Sequence, residues 1–256
     1  MKPLAQLDAR GIEAVLLDID ETLTTSGKLT AQAYAALEAL HRAGMRVVPV
    51  TGRPAGWCDH IARMWPVDAV VGENGAFYFW YAHGKLGKRF IDDAPTRERN
   101  RSRLQAIGER ILRDVPGAAL TSDQPYRETD LAIDYCEDVA PLPLEAAERI
   151  ASLMRTAGLR AKVSSIHVNG WFGGYDKLDT TRKLFAERFG LDLDAANCKV
   201  VFAGDSPNDA PMFAFFENAV GVGNVRRFPG LQPKYVTGSD AGAGFAELVA
   251  HLLGAP

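Results

Sequence analysis

Few cysteines, no long apolar run and no excess of either charge mark this sequence, and each lack closes off a class of protein. Three cysteines, Cys58, Cys136 and Cys198, stand far apart with no Cys-x-x-Cys spacing. That argues against a disulfide framework and against a zinc site. Three reduced thiols buried in the core of a cytoplasmic protein are the expectation. No segment approaches the roughly eighteen apolar residues of a membrane span. The N-terminus meets acidic residues before any apolar stretch long enough for a signal peptide. Lys and Arg number 29 against 32 Asp and Glu, a formal charge of -3. Nothing therefore draws the chain electrostatically to nucleic acid or to an anionic membrane. Repeats and low-complexity tracts are absent too. What is present is an ordinary globular composition, 47% hydrophobic and 24% charged over 256 residues. A chain of this size can bury its core without disulfides or structural metal. Oligomeric state leaves no mark on the sequence.

The apolar run IEAVLLDI, from Ile12, reads as a buried strand that stops at carboxylates. Turn residues follow, then a helix that Thr30 can cap, with Tyr34, Leu37 and Leu40 on one face and Gly44 past its end. MRVVPV is a second strand ending at Thr51-Gly52, Pro54 starts a helix running to about Trp65, and DAVVG (68–72) is a third strand. Strand and helix alternating in this way predict a parallel sheet with right-handed crossovers. After Gly75 the period changes to two: Phe77, Phe79 and Tyr81 alternate with Tyr78 and Trp80, and His83-Gly84-Lys85 can turn a hairpin. A charged helix over 96–114, a strand over 131–136, a helix over 143–158 and a strand over 159–165 then form an α+β pattern of their own. The parallel rhythm resumes with a helix over 179–189 and strands at 199–205 and 218–223. The expected fold class is α/β. A Rossmann-like parallel-sheet core is made of residues 1–83 and 167–256, and a smaller α+β cap domain, 84–166, is inserted into it.

Three of the apolar strands end in polar residues: Asp18 and Asp20, Thr51, and Asp205. Ligands of parallel α/β sheets bind beyond the carboxyl ends of the strands, so these distant residues are expected to meet there. Carboxylates crowd together at low cost only around a cation, and a hard ion with oxygen ligands, Mg²⁺ above all, suits them.

The segment VLLDIDETLT (15–24) resembles the first motif of the haloacid dehalogenase-like superfamily. VPVTGR (48–53) is similar to the second motif, Lys177 in GGYDK to the third, and GDSPND (204–209) to the acidic fourth. ENGAF (73–77) and YVTGSDAGAGFAEL (235–248) resemble the branch with an α/β cap inserted after the second motif, and GDSPND its sucrose-phosphate and mannosyl-phosphoglycerate phosphatase group. The resemblance spans nearly the whole chain. It implies a magnesium-dependent phosphatase for a small phosphorylated metabolite, a sugar phosphate or a phosphoglycerate derivative. Asp18 would be the nucleophile that forms an acyl phosphate, and Asp20 the general acid and base. Thr51, Gly52, Lys177 and Asn208 would hold the substrate phosphate, with backbone N–H groups near Ile19 and Gly52. Mg²⁺ would sit on an Asp18 oxygen, the Asp20 carbonyl and Asp205, with Asp209 at its edge and Ser206 and Asn208 ordering the loop. Lys177 would also keep Asp18 ionised.

Blander readings exist for each residue. Asp after a strand is commonly a turn residue, Thr51 a helix cap, Lys177 a surface lysine and GDSPND a polar turn. It is their joint order that favours chemistry. Arg97 and Arg101 share one side of their helix while Arg99 and Arg103 point elsewhere, which predicts a solvated helix rather than an anion patch. The aromatic string is expected to pack, and His167, Asn169 and Trp171, at the return from cap to core, are open between substrate contact and structure. A phosphosugar mutase on the same scaffold and a catalytically retired module that binds phosphorylated ligands are the rival functions. A dehalogenase has no use for Asp20 or the acidic loop.

Overall fold

The structure is a computed structural model and describes residues 1–164 and 166–254. Along the chain run β1 (Lys2–Pro3), β2 (Ala14–Leu17), α1 (Ala31–Arg42), β3 (Arg46–Pro49), α2 (Ala55–Met64), β4 (Val70–Gly72), β5 (Phe77–Ala82) and β6 (Lys85–Phe90). Next come α3 (Ala94–Asp114), β7 (Ala119–Leu120), β8 (Asp130–Asp134), α4 (Leu144–Thr156), β9 (Arg160–Val163) and β10 (His167–Trp171). The last part holds α5 (Lys177–Leu184), β11 (Val200–Gly204), α6 (Ala210–Phe215), β12 (Asn218–Gly221), β13 (Tyr235–Val236) and α7 (Ala241–Leu253).

The core is a six-stranded parallel sheet in the order β1-β13-β12-β11-β2-β3. Its central strands are apolar on both faces because helices cover both. Val15 and Leu17 of β2 pack with Leu37, Leu40, Phe245 and Leu248 of α1 and α7. Ala14 and Leu16 face the other way, onto Leu184, Phe202, Met212 and Phe213. Each such buried leucine contributes about 1.5–3 kcal/mol. Thr30 caps α1 by accepting from the Ala33 N–H at 3.2 Å, as expected from its place before the helix.

The third expected parallel strand behaves differently. β4 meets the core through a single parallel bridge, Val50 to Val71, and pairs antiparallel with β5, which pairs with β6. The hairpin turns at His83 and Gly84, both with positive φ, as a two-residue turn requires. Phe77 and Phe79 stack on one face of β5 with centroids 4.3 Å apart, while Tyr78 and Trp80 lie on the other at 5.6 Å. The aromatic string is therefore packing.

A four-stranded antiparallel sheet, β7-β8-β10-β9, carries α3 and α4. The expected cap of 84–166 leaves out β10, which hydrogen-bonds along its length to β8 and β9. It also takes in β6, which pairs with β5 instead. Backbone pairing decides where a strand belongs more firmly than composition, and we propose that the inserted unit runs from α3 through β10. Ser165, the end of the strand expected over 159–165, lies outside the described residues. The arginines of α3 point apart: Arg97 lies over Phe90 and Arg103 over Phe172, while Arg101 reaches Glu98 and Glu128. The cysteines do not all belong to the core. Cys58 is buried, Cys136 half-buried and Cys198 exposed, because Cys198 falls in the polar turn ahead of β11 rather than in the strand. No helix of the described residues is long and apolar enough to cross a membrane.

Candidate active site

β2 and β11 are neighbours in the sheet, so their carboxyl ends put Asp18 beside Asp205, and the Asp18 N–H donates to the Ala203 carbonyl at 2.9 Å. The next strand on the other side, β3, brings in Thr51. A tight loop follows Asp18, in which the Ile19 carbonyl accepts from the N–H groups of Leu23 and Thr24, both at 2.9 Å. In the acidic loop the Asp209 carboxylate accepts from the Asp205 N–H at 3.1 Å and the Ser206 N–H at 3.3 Å, which pins the loop and draws Asp209 inward. Ser206 donates to the Asn208 side-chain oxygen at 2.7 Å.

Asp18, Asp205 and Asp209 are all buried, and an oxygen of each lies within 4.8 Å of the others. Lys177, the first residue of α5 rather than a residue ahead of a helix starting at 179, sends its ammonium between two of them. It stands 3.0 Å from Asp18 and 2.8 Å from Asp209. Burial alone would lower the Lys177 pKa, but the two carboxylates hold it above its ordinary range. Lys177 pulls the Asp18 pKa down, the direction expected of it. Burial pushes Asp18 up to about 7 against the pull of Lys177, with Asp209 and Asp20 adding to the rise. Asp205 is pushed to about 9 by burial, Asp209 and Asp18, although Thr22 donates to it at 3.0 Å. Asn224 donates to its other oxygen at 3.0 Å. Three buried carboxylates against one ammonium leave negative charge uncompensated, and an oxygen-loving divalent cation fits that donor set.

Asp20 stands apart from the triad, its carboxylate turned to Arg53. The Arg53 Nε lies 3.0 Å from both Asp20 oxygens and Nη2 2.7 Å from one. Asp20 could therefore serve a metal through its main chain, its side chain being committed elsewhere. Arg53 also reaches into the insert: Nη2 donates to Glu137 at 2.9 Å, and Nη1 faces Asp123 at 3.5 Å. Glu137 in turn lies 2.6 Å from the Nε2 of His167. This chain from Asp20 to His167 escapes the sequence reading. Arg53 adjoins Thr51-Gly52, which is its one local signal.

Thr51 is fully buried, and its hydroxyl accepts from the Arg53 N–H at 3.0 Å, which leaves its own hydrogen to donate. The carbonyl of Gly52 accepts from Arg127 at 2.9 Å. Asp18, Asp20, Gly52, Arg53, His167 and Asn208 line one small chamber, and Asn169 shares it while donating to Asp130 at 2.9 Å. Trp171 is core, its ring N–H donating to the Tyr175 carbonyl at 3.2 Å. A much larger cleft, about 1220 Å³, opens between α2 and the insert but holds none of the triad.

Behind the chamber, Glu73 and Arg127 fasten insert to core. Glu73 accepts from the N–H groups of Ala55, Glu128 and Thr129 at 2.9, 2.9 and 2.7 Å, and from the Thr129 hydroxyl. Arg127 bonds Asp123 and Asp130 at 3.0 Å as well as Gly52.

Known proteins resemble this chain both in sequence and in fold. A family profile described as haloacid dehalogenase-like hydrolase matches residues 15–94. Over that segment the chain is similar to that family. A phosphoglycolate phosphatase of Methanothrix thermoacetophila is 28% identical over 249 residues, covering 94% of this chain and 97% of that protein. One of Haloarcula marismortui is 29% identical over 244 residues, covering 92% and 95%. Among solved structures, a Thermoplasma acidophilum protein superposes with a TM-score of 0.71 at 18% identity, covering 94% of this chain and 98% of its own. The sucrose-phosphatase of Synechocystis does so at 0.63 and 15%, covering 95% and 98%. The relatives named phosphatases match over nearly the whole of this chain.

Proposed function

We propose that the protein is a magnesium-dependent phosphomonoesterase that works through an aspartyl phosphate on Asp18 and acts on a small phosphorylated carboxylic acid of the phosphoglycolate type. The observation that carries this reading is the placement of Lys177 between Asp18 and Asp209, with Asp205 alongside. Phosphoglycolate is favoured over the larger sugar phosphates because full-length relatives bear that name. A cytoplasmic location belongs to the same proposal and rests on the unpaired cysteine spacing.

In this reading an Asp18 oxygen attacks phosphorus while the ester P–O bond breaks, and the departing oxygen takes a proton from Asp20. Asp20 then takes a proton from the water that attacks phosphorus and frees inorganic phosphate, and Asp18 is restored. In the free protein the Asp20 carboxylate is bonded to Arg53, so both transfers require it to turn from there toward the phosphoryl group. Lys177, the Thr51 hydroxyl and the Asn208 amide are the candidate partners of the phosphoryl oxygens. The Asp18, Asp205 and Asp209 carboxylates, with the Asp20 carbonyl, would hold Mg²⁺, which when bound neutralises charge on the transferring group.

The test is phosphate release from phosphoglycolate, phosphoglycerates and sugar phosphates, with Mg²⁺ and with chelator, for wild type and Asp18→Asn. Release that needs Mg²⁺ and vanishes in the variant supports the reading. Isomerised sugar phosphate without free phosphate would replace it with a mutase, and ligand binding without turnover would replace it with a binding module.

A further inference from the structure

The chamber at Asp18 has free space of about 10 Å³, room for the centre of about one water. A phosphorylated acid enters only if something in the wall yields. Around Arg53 stand three carboxylates, and they differ in how firmly they are held. Asp20 takes the Nε edge of the guanidinium at two distances of 3.0 Å, and Asp123 is a buried partner on the far side. Glu137 bonds only the outer Nη2 of Arg53, and its side chain is 28% exposed against 18% for Asp20 and 7% for Asp123. The guanidinium itself does not depend on Glu137 for its place, since it also lies 4.4 Å from the centre of the Trp57 ring.

The two oxygens of Glu137 are divided between two donors, Arg53 Nη2 at 2.9 Å and His167 Nε2 at 2.6 Å. An ionised carboxylate only accepts, so the imidazole presents an N–H here. A guanidinium and an imidazole N–H converging on one carboxylate, beside a site for a phosphate, form a receptor for a second anionic group. His167 first, then Arg53, holds the Glu137 pKa at about 2 against its burial. The backbone of Glu137 is independently fixed, because the Asp134 carboxylate accepts from the N–H groups of Cys136, Glu137 and Asp138 at 2.9, 2.7 and 2.8 Å. Only the side chain has to move.

We propose that Arg53 and His167 form the subsite for a carboxylate carried by the substrate, and that Glu137 occupies this subsite in the free enzyme and is displaced by that carboxylate. The inference rests on the phosphatase reading and adds to it which residues recognise the leaving group. Glu137 then acts as a gatekeeper: a phosphate ester without a carboxylate cannot dislodge it and meets a closed chamber.

The experiment compares kcat/KM for 2-phosphoglycolate with that for ethyl phosphate, which lacks the carboxylate, in wild type, His167→Gln, Glu137→Gln and Glu137→Ala. Glycolate inhibition is measured alongside as a readout independent of turnover. Wild type should prefer phosphoglycolate by about a hundredfold or more, as expected when a buried charged pair would otherwise lose its partner. His167→Gln should cut that preference at least about tenfold, chiefly through KM. Both Glu137 variants should lower KM for phosphoglycolate and the inhibition constant of glycolate severalfold. Equal use of the two esters by wild type, or parallel changes for both in the variants, would overturn the subsite while leaving the phosphatase standing. Phosphate release from neither ester, with Mg²⁺ present and the protein folded, would overturn both.

Discussion

The backbone of Gly75 lies directly against the carbonyl of Asp176, the residue that caps the helix beginning at Lys177. Thr180, one turn into that helix, donates its hydroxyl to the Gly75 carbonyl. With φ at +107° and no space for a Cβ, Gly75 admits no other residue.

Gly75→Ala should therefore push the start of α5 outward and carry Lys177 away from Asp18. The expected result is a loss of activity of about a hundredfold or more together with a destabilisation of several kcal/mol. Gly84→Ala, also at positive φ but with nothing within 4 Å, should cost about 1–2 kcal/mol and leave turnover alone. Thermal unfolding and phosphate release on both variants decide it, and equal effects would mean that Gly75 does not position Lys177.

Magnesium should stabilise the wild-type fold. At a hundredfold excess over its dissociation constant the gain is about 2.7 kcal/mol. Asp205→Asn removes a carboxylate that burial, Asp209 and Asp18 push up to about 9 in the metal-free protein. The variant should melt no lower than wild type in chelator, yet show little rise in Tm on adding Mg²⁺. The same rise in both proteins would place the ion elsewhere.

Arg127 is buried between Asp123 and Asp130 and bonds the Gly52 carbonyl. Arg127→Gln takes the closest cationic partner from two buried carboxylates and should cost about 3–5 kcal/mol in urea unfolding. Arg99→Gln, on the exposed face of α3, should stay within about 0.5 kcal/mol. A small cost at Arg127 would show that the insert is fastened to the core mainly by its apolar contacts.

Stability should also depend on acid through Glu137. Its folded pKa, about 2, lies below the ordinary 4.5, with His167 the main cause. Its contribution is thus fully present above pH 4.5 and is lost as the pH falls from 4.5 towards 2. Partial exposure screens it, so the effect is modest. Glu137→Gln should lie below wild type in stability at pH 6, and the gap should narrow at pH 3.5. A gap of constant size would show that the charge of Glu137 adds nothing to folding.

The core and the acidic triad were legible because their signals are local. An apolar run that ends in Asp18 or Asp205 already states both the strand and which end of it carries the charge. The Arg53 chain was not legible. Its partners Asp20 and Glu137 lie 33 and 84 residues away in sequence, and no periodicity records which cation meets which carboxylate across two layers. The pairing of β10 was not legible for a similar reason: HVNGW has no strong alternation, and only its bonds to β8 and β9 reveal its sheet. Lys177 could be found from its order along the chain, but not the helix start that aims it.

That helix start lies only a few residues beyond the end of β10. The lysine facing the nucleophile therefore hangs from the last strand of the insert by a short tether. Grafting a cap from another chain onto this core, or trimming it to a loop, would have to reproduce the length and exit direction of that tether as well as the new binding surface. The insert is in this sense not an interchangeable cassette: recombination at its downstream junction is tested by catalysis itself.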